Sequence, residues 1–368
     1  GFVSRGLGDV YKRQNHFYFR RLQDKYLTAQ IRLMLNKIIF WILVVMLMAS
    51  CSRKITDPCE DINPQSTIDV EADALVCFVS IDSYDLNYTN KNKITINGEL
   101  FLPEIKKEVY NAVIMTHGSG GKRRYHNKYI DLLTDSGLIV FQIDHYSARK
   151  IKYDKTFSKV SGITFMNDAY AALDLLKSSN KIKNIGYLGW SQGGVGPILS
   201  HFKFVNDLIA ADHKFQSAVA IYPYCGFTFP GASETETPLL MITGADDDLT
   251  PEAACRNLYS KFFRNDGKIE FLSIENARHG FDNPFLYFGF TFEKLPNLMV
   301  MNLDCTLTIT NNGEIQNMNG TIINTPELSE FFLNKCSVKG VTVKYNSKAT
   351  KITLDKVQKF FVKTLTEE

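Results

Sequence analysis

The sequence predicts an α/β fold in which helices flank a mostly parallel central sheet. Short apolar runs that are typical of buried strands recur along the chain, and the segment 164–179 between two of them carries its apolar residues at helical spacing. Several runs end directly in loops rich in glycine or polar residues. Strands that alternate with helices favour parallel pairing, so the loops at their carboxyl ends meet at the edge of the sheet where such folds bind ligands.

Each element has its own signal, which is a continuous apolar run or an alternating one for the strands and a 3.6-residue period for the helices. Strands are predicted at 93–102, 112–116, 138–144, 185–190, 218–222, 238–244 and 269–274. Helices are predicted at 164–179 and 251–263. The segment 283–339 breaks this alternation, so we interpret it as an insertion before the last helix of a single domain, 73–368. Within it, the polar stretch 311–319 predicts an exposed hairpin.

The most informative motif is Gly189-Trp190-Ser191-Gln192-Gly193, in which a serine between two glycines follows a predicted strand. A serine that exposes its hydroxyl on a sharp strand-to-helix turn needs neighbours without Cβ atoms, and this G-x-S-x-G pattern supplies them. The helix start also directs backbone N–H groups at a developing negative charge. Because glycine and serine are common, the motif gains its meaning only from partners elsewhere in the chain.

Two later loops supply an acid and a base in the order Ser, Asp, His. Asp246, Asp247 and Asp248 follow a predicted buried strand. The distance from the preceding glycine favours Asp247, and the other two are expected to form the turn or to cap the next helix. The alternative for the whole cluster is a solvated turn. His279 also follows a strand, on a loop beside a glycine, which makes it the expected base.

The loop 117–121, after the strand 112–116, is expected to complete the site. We expect the backbone N–H of Gln192 to be one donor to an oxyanion, and that of Ser119, or next to it Gly118, to be the other. Removing one such donor typically costs roughly 3–4 kcal/mol of transition-state stabilisation. The alternative is a phosphate-cradling loop, which is disfavoured because the G-x-x-x-x-G-K-[ST] spacing is absent.

Together these motifs resemble the dienelactone hydrolase family of α/β-hydrolases. The matching segments are 117–121, 189–193, 244–251 and 278–281. The resemblance covers roughly 90–368, including the segment 340–346 and a final amphipathic helix from about Leu354. It implies the α/β-hydrolase fold and serine-type hydrolysis. The name-giving enzymes use cysteine at the elbow, whereas this chain has Ser191, which favours a general carboxylic-ester hydrolase over a hydrolase of dienelactone itself.

We therefore predict an exported serine hydrolase that forms an acyl-enzyme on Ser191, with His279 as the base and Asp247 as the orienting acid. This chemistry needs no metal and no organic cofactor. The expected partner is a small-molecule ester, and the chain is expected to be a monomer. Two alternatives stay open: a non-catalytic surface lipoprotein that keeps the fold for ligand binding, and an acyltransferase.

Substrate contacts are predicted from loops that follow the same strands. The candidates are Trp190 at the elbow, Tyr146 and Arg149. Arg149 is expected either to hold a substrate carboxylate or to pair with an acidic side chain. The aromatic run 285–292, just after the base, is expected either to line or cover an acyl pocket or to pack against the sheet.

The amino-terminal region has the pattern of an export signal. Residues 34–50 comprise a short basic start and an apolar run too short for a membrane span, as in a signal peptide. Met48-Ala49-Ser50-Cys51 resembles a bacterial lipobox, so Cys51 is the expected lipidation site and 51–72 a tether to the membrane of the cell envelope. The alternatives are an ordinary secretory signal and an uncleaved N-terminal anchor. Residues 1–33 resemble translated sequencing-adapter sequence, with a genuine basic leader as the alternative.

Charge and cysteine usage fit that interpretation. Residues 1–51 hold eight basic and two acidic residues, so the chain's net charge of +3 becomes −3 for the remainder, which does not indicate nucleic-acid binding. Six cysteines besides Cys51 permit disulfides in an exported protein. We expect sequential pairing, with Cys225–Cys255 as the best pair. The alternative is buried free thiols, which suits Cys77.

Overall fold

The computed structural model describes residues 76–87, 90–154, 157, 159–209, 214–228, 237–262, 268–298, 306–310, 314–323 and 325–366. The predicted leader 1–33, signal peptide 34–50, tether 51–72 and lipidation site Cys51 lie outside these residues.

Strands and helices alternate along most of the described chain. The strands are β1 (Val76–Asn87), β2 (Asn90–Phe101), β3 (Tyr110–Thr116), β4 (Ile139–Asp144), β5 (Ile182–Trp190), β6 (Ser217–Ile221), β7 (Phe227–Thr228), β8 (Leu239–Gly244), β9 (Ile269–Ile274), β10 (Phe290–Asn297), β11 (Leu307–Ile309), β12 (Ile315–Gln316) and β13 (Val338–Val343). The α-helices are α1 (Asn127–Asp135), α2 (Gly162–Lys177), α3 (Val195–Ser200), α4 (Lys203–Ile209), α5 (Glu252–Phe262), α6 (Pro326–Cys336) and α7 (Ser347–Thr366).

The central sheet has eight strands in the order β1-β2-β4-β3-β5-β6-β8-β9. The six strands β4, β3, β5, β6, β8 and β9 pair in parallel with one another. At one edge, β1 and β2 form a hairpin that pairs antiparallel with β4 through β2. Every residue of β6 and β8 is buried, which explains why these strands are continuous apolar runs rather than alternating ones. The mostly parallel sheet predicted from the sequence is thus confirmed.

Two apolar layers cover the two faces of the sheet. One layer joins the sheet to α2 and α3, and the other joins it to α1 and α7. The predicted last helix begins at Ser347 rather than near Leu354, because the Asn346 side chain accepts a hydrogen bond from the Ala349 N–H at 3.1 Å and caps a polar first turn. The strand β1 and the helix α1 were not predicted.

The inserted segment 283–339 contributes two small sheets and a helix. β10 pairs antiparallel with β13, and β11 pairs antiparallel with β12. β11 also pairs in parallel with β7, a two-residue strand outside the insertion. The helix α6 follows, with Thr325 as its N-cap. The insertion therefore adds its own layer at the edge of the fold where β7 leaves the core.

Candidate active site

The nucleophile elbow has the strained geometry that its sequence predicts. β5 ends at Trp190, Ser191 has a φ of +53°, and a tight turn leads into α3. Few residues other than glycine adopt this left-handed conformation, and they do so most often at functional sites. A Cβ on Gly189 would lie 2.3 Å from the Gly193 carbonyl oxygen, so the motif's glycines are required by close backbone contact. Ser191 is thereby held at the carboxyl end of β5.

His279 and Asp247 complete a chain of hydrogen bonds to this serine. His279 Nε2 lies 2.9 Å from Ser191 Oγ, and His279 Nδ1 lies 2.8 Å from Asp247 Oδ2. A neutral imidazole with its proton on Nδ1 satisfies both contacts, because it donates to the carboxylate and accepts from the hydroxyl. The loops after β5, β8 and β9 thus bring together three residues that are far apart in the sequence.

Asp247 is fully buried, and both of its side-chain oxygens accept hydrogen bonds. Oδ1 accepts the N–H groups of Leu249 and Thr250 at 2.9 and 2.8 Å, and Oδ2 accepts the Thr250 hydroxyl at 2.9 Å. The same hydroxyl lies 3.0 Å from His279 Nδ1 and 3.0 Å from the Tyr222 carbonyl oxygen. The sequence analysis missed Thr250. A threonine three residues after an aspartate is a common turn pattern, so this spacing gives only a weak signal.

The neighbouring aspartates have different surroundings. Asp246 is exposed, whereas the Asp248 carboxylate accepts the Thr342 N–H at 3.2 and 3.1 Å and lies 3.5 Å from Arg278 Nη1. Two roles were expected for Asp248, as a turn former or as the cap of the next helix. Its carboxylate bonds β13 rather than a backbone N–H of α5, so the cap is not borne out. The side chain of one aspartate thus contacts the base, and that of the next ties the acid loop to β13.

The loop of the predicted oxyanion donors lies against the nucleophile. A Cβ on Gly118 would lie 3.0 Å from the Cβ of Ser191. His117 Nε2 accepts the His145 N–H at 3.3 Å, so its Nδ1 carries the proton and donates to the Gly118 carbonyl oxygen at 2.7 Å. Burial lowers the pKa of His117 well below its usual range, which keeps the ring neutral. The Ser119 carbonyl oxygen accepts the Asp154 N–H at 2.8 Å.

The side chain of Gln192 is held away from the site. Its Nε2 donates to the Val160 carbonyl oxygen at 2.7 Å, and its Oε1 accepts the Tyr146 hydroxyl at 3.3 Å. Gln192 is the second residue of the turn that follows the elbow, and N–H groups at such a start have no partner within the helix. The oxyanion role expected of Gln192 belongs to its backbone N–H and stays a prediction.

The three candidate substrate contacts are buried and occupied elsewhere. The Trp190 ring is fully buried and its Nε1 donates to Asp282 at 2.9 Å. Arg149 makes a two-pronged contact with the buried Asp168 at 2.8 and 3.1 Å, so it pairs with an acid rather than holding a substrate carboxylate. Tyr146 is buried against the Gln192 side chain. The expectation of direct substrate contact is wrong for Trp190 and Arg149, and Tyr146 positions Gln192 instead.

A second buried carboxylate lies beneath the site. Asp282 accepts the hydroxyls of Tyr129 and Tyr222, each at 2.7 Å, besides the Trp190 N–H. Burial raises the pKa of Asp282, and these three donors oppose that shift. The Tyr222 ring packs edge-on against His279 with 4.7 Å between the ring centres. No motif in the sequence singles out Asp282.

An apolar cavity of about 120 Å³ opens beside Ser191. Its walls come both from the core and from the part of the insertion that follows β10, including Leu298, Leu307 and Phe332. The aromatic run 285–292 is not part of it. Phe285, Tyr287 and Phe288 are exposed, at 90% for Phe288. We expected this run either to line or cover an acyl pocket or to pack against the sheet. Both expectations are wrong for Phe285, Tyr287 and Phe288.

Cys225 and Cys255 form a disulfide, the pair that the sequence favours, with their Cα atoms 4.9 Å apart. The bridge joins the segment after β6 to α5, close to the acid loop. Cys77 and Cys336 are each disulfide-bonded as well, so the alternative of a free thiol at Cys77 is wrong. Sequential pairing predicts Cys59 as the partner of Cys77 and Cys305 as the partner of Cys336. Both partners lie outside the described residues, so this pairing stays a prediction.

The described ranges contain neither a candidate membrane span nor a candidate metal site. No helix there combines the length and the apolar character needed to cross a membrane. In the same residues, no group of three or more His, Cys, Asp or Glu side chains is placed to hold a metal ion.

Several solved structures are similar to this chain. A dienelactone-hydrolase-like promiscuous phosphotriesterase from metagenomic libraries has 14% identity and a TM-score of 0.48, over 79% of this chain and 99% of that one. Esterase 2 of Thermogutta terrifontis has 12% identity and a TM-score of 0.46, over 78% and 97%. A Pyrococcus furiosus esterase has 18% identity and a TM-score of 0.42, over 60% and 91%. At this level of similarity none of them indicates a substrate for this chain.

Sequence comparison gives the family. No curated protein sequence matches the chain closely enough to count as a relative. The model of the dienelactone hydrolase family matches residues 96–286, which is more than half of the chain and includes Ser191, Asp247 and His279. This protein therefore belongs to the dienelactone hydrolase family, with the α/β-hydrolase fold.

Proposed function

We propose that this carboxylic-ester hydrolase works through an acyl-enzyme on Ser191, with His279 as general base and acid and Asp247 as the residue that orients it. The observation that carries the proposal is the pair of contacts at 2.9 and 2.8 Å that links Ser191 Oγ to His279 and His279 to a buried carboxylate. Nucleophile, base and orienting acid in hydrogen-bonded sequence are the signature of an activated serine.

The first half of the reaction transfers the acyl group to the protein. His279 Nε2 takes the proton of Ser191 as Oγ forms a bond to the ester carbonyl carbon. The oxyanion that develops is stabilised by the backbone N–H of Gln192 and by an N–H of the 118–119 loop. The carbon–oxygen bond to the alcohol then breaks, and His279 returns the proton to the leaving alkoxide.

Water completes the cycle. It attacks the acyl carbonyl while His279 takes one of its protons, and the proton returns to Ser191 as the acid is released. Asp247 holds the imidazole in the tautomer that this requires and stabilises the imidazolium. The net reaction is ester plus water to acid plus alcohol.

A substrate assay with a matched pair of serine variants tests the proposal. Ser191→Ala should lower kcat on a short p-nitrophenyl ester by roughly 10⁵- to 10⁶-fold. Ser147→Ala, which removes an exposed hydroxyl, should leave kcat unchanged. A fluorophosphonate probe should label the wild-type protein and not the Ser191 variant. Labelling or turnover that survives Ser191→Ala would exclude this serine as the nucleophile.

We further propose that the protein is exported and anchored through a lipid on Cys51 to the bacterial cell envelope. The lipobox-like sequence supports this, and the disulfides suit an oxidising compartment. Palmitate supplied during growth in a bacterial host should label the wild-type chain and not Cys51→Ala. Equal labelling of both, or labelling of neither in a host that lipidates a control lipoprotein, would contradict the anchor.

A further inference from the structure

We propose that the cavity beside Ser191 is an acyl-binding site whose outer wall is the inserted segment, and that it selects esters of uncharged, apolar carboxylic acids. This inference rests on the proposed function of Ser191 and adds a substrate class to it.

The cavity lies between two parts of the chain. On the core side it is lined by Val195 and Leu199 of α3, directly after the elbow, and by Leu249 of the acid loop. On the other side the insertion contributes Leu307 and Ile309 of β11, Ile315 of β12, and Phe332 and Leu333 of α6. Ser191 itself is part of the lining, so a group bound here is adjacent to the attacking oxygen.

The wall is attached firmly enough to define a shape. Leu307 pairs with Phe227, and its N–H donates to the Gly226 carbonyl oxygen at 3.1 Å. The Leu298 N–H donates to the Asp248 carbonyl oxygen at 3.1 Å, which joins the insertion to the acid loop. Ile309 is buried in the same apolar cluster as the core residues around α3. The insertion is thus held to the core at two places, at β7 and at the acid loop.

The chemistry of the lining selects an apolar group. Among the described residues that line the cavity, none carries a charge. Most of the polar ones are already engaged: the Gln192 side chain bonds the Val160 carbonyl oxygen, the Ser161 hydroxyl caps α2, and the Tyr224 hydroxyl bonds the Gly226 carbonyl oxygen. A carboxylate placed here would lose its water and gain no cationic partner, which is costly, whereas each buried methylene group is favourable.

The position of the base decides which half of the ester enters. The leaving alcohol must lie within reach of His279 Nε2 to receive its proton. His279 is not among the residues that line the cavity, whereas Gln192 and Val195, which follow the nucleophile, are. The alcohol therefore points towards His279 and the acyl chain points into the cavity.

The test is a chain-length series on matched variants. For the wild-type protein, kcat/KM on p-nitrophenyl esters should rise about fourfold for each methylene group from acetate to butanoate and beyond, until the cavity is filled. The p-nitrophenyl half-ester of succinate should react more slowly than the butanoate. A series of acetates of longer alcohols should be nearly flat.

Two substitutions in the wall should move this profile in opposite directions. Ser329→Phe places a ring into the cavity from α6 and should lower kcat/KM on the hexanoate at least tenfold more than on the acetate. Leu333→Ala removes part of the wall and should shift the preferred acyl group to a longer one. Glu330→Phe, on the exposed face of the same helix, is the matched control and should leave the profile unchanged.

The outcomes separate the two proposals. If no turnover depends on Ser191, the proposed function is wrong. Turnover that depends on Ser191 but has a flat acyl profile, a length preference on the alcohol side, or an equal response to Ser329→Phe and Glu330→Phe would overturn the acyl site alone. If Ser329→Phe does not fold, the direction of the shift in Leu333→Ala decides.

Discussion

The parallel core and the inserted segment 283–339 position their functional residues in different ways. In the core, Ser191, Asp247 and His279 each follow the end of a parallel strand, and the register of the sheet brings these ends together. In the insertion, cavity-lining residues come from two short strands and a helix, which are joined to the core by a few hydrogen bonds. Core positions therefore depend on a large cooperative structure, and insertion positions on local contacts.

This difference separates chemistry from selectivity. Residues that must meet within about 3 Å for proton transfer are placed by the sheet, because small displacements there cost much of the rate. The insertion only has to present apolar surface of the right shape, which tolerates change. Substitutions in the core should therefore alter the rate for every ester, whereas substitutions in the insertion should alter which ester is preferred.

Two adjacent aspartates give the largest expected contrast. Asp247→Asn should lower kcat about 10⁴-fold on all esters, because the amide no longer selects the tautomer that accepts from Ser191. Asp248→Asn keeps an acceptor for the Thr342 N–H and should change kcat on the acetate ester less than about fivefold, in line with one altered hydrogen bond. Steady-state kinetics on acetate and hexanoate esters would measure both. A similar loss in the two variants would contradict the division of roles.

The next largest expected effect is on stability and concerns the Cys225–Cys255 disulfide. This bridge holds the segment that leads into β7, and β7 in turn pairs with β11 of the insertion. The double variant Cys225→Ala/Cys255→Ala should lose about 2–4 kcal/mol of unfolding free energy. Urea unfolding, read with and without a reducing agent, would measure this. The wild-type protein should lose more stability on reduction than the double variant, which still carries the disulfides of Cys77 and Cys336. Equal responses of the two proteins to reduction would show that this bridge contributes nothing.

Thr250 sharpens the contrast within the core. Thr250→Val has the same shape but lacks the hydroxyl that bonds Asp247 and the Tyr222 carbonyl oxygen, so kcat should fall about tenfold. Thr250→Ser should restore most of the rate because it restores the hydroxyl. If Ser and Val variants are equally slow, the methyl group rather than the hydroxyl is what matters here.

The sequence predicted the parts of the site that local rules determine. Glycines at tight contacts, a serine between them, and a histidine on a loop after a strand leave patterns in the chain, so Ser191, Asp247 and His279 were identified. Asp282 left none, because its three donors come from separate elements and only the folded sheet brings them together. For the same reason, burial of Trp190 and the pairing of Arg149 with Asp168 could not be read from the loops that carry them.

Asp282 gives a pH-dependent test of the core. Burial raises its pKa above the ordinary value of 3.8, so the folded protein binds the proton more tightly than the unfolded chain does. The stability this contributes is fully present below pH 3.8 and is lost as the pH rises through the raised pKa. Asp282→Asn should lack this dependence. Urea unfolding across that range should show the variant gaining stability relative to the wild type, by up to about 1.4 kcal/mol per pH unit. If the unfolding free energies of the two proteins change with pH in parallel, the assignment of this dependence to Asp282 is wrong.

The smallest expected effect concerns the exposed aromatic residues of the insertion. The sequence suggested that the run 285–292 lines or covers the acyl pocket, but Phe288 is 90% exposed and the cavity wall is formed further along the chain. Phe288→Ser should therefore change kcat/KM less than about twofold on every ester of the series, because no buried contact is lost. Leu333→Ala, in the wall of the cavity, is the comparison. If Phe288→Ser instead shifted the acyl preference, the exposed aromatic residues of 285–292 would be part of the acyl site, which would contradict the cavity wall described above.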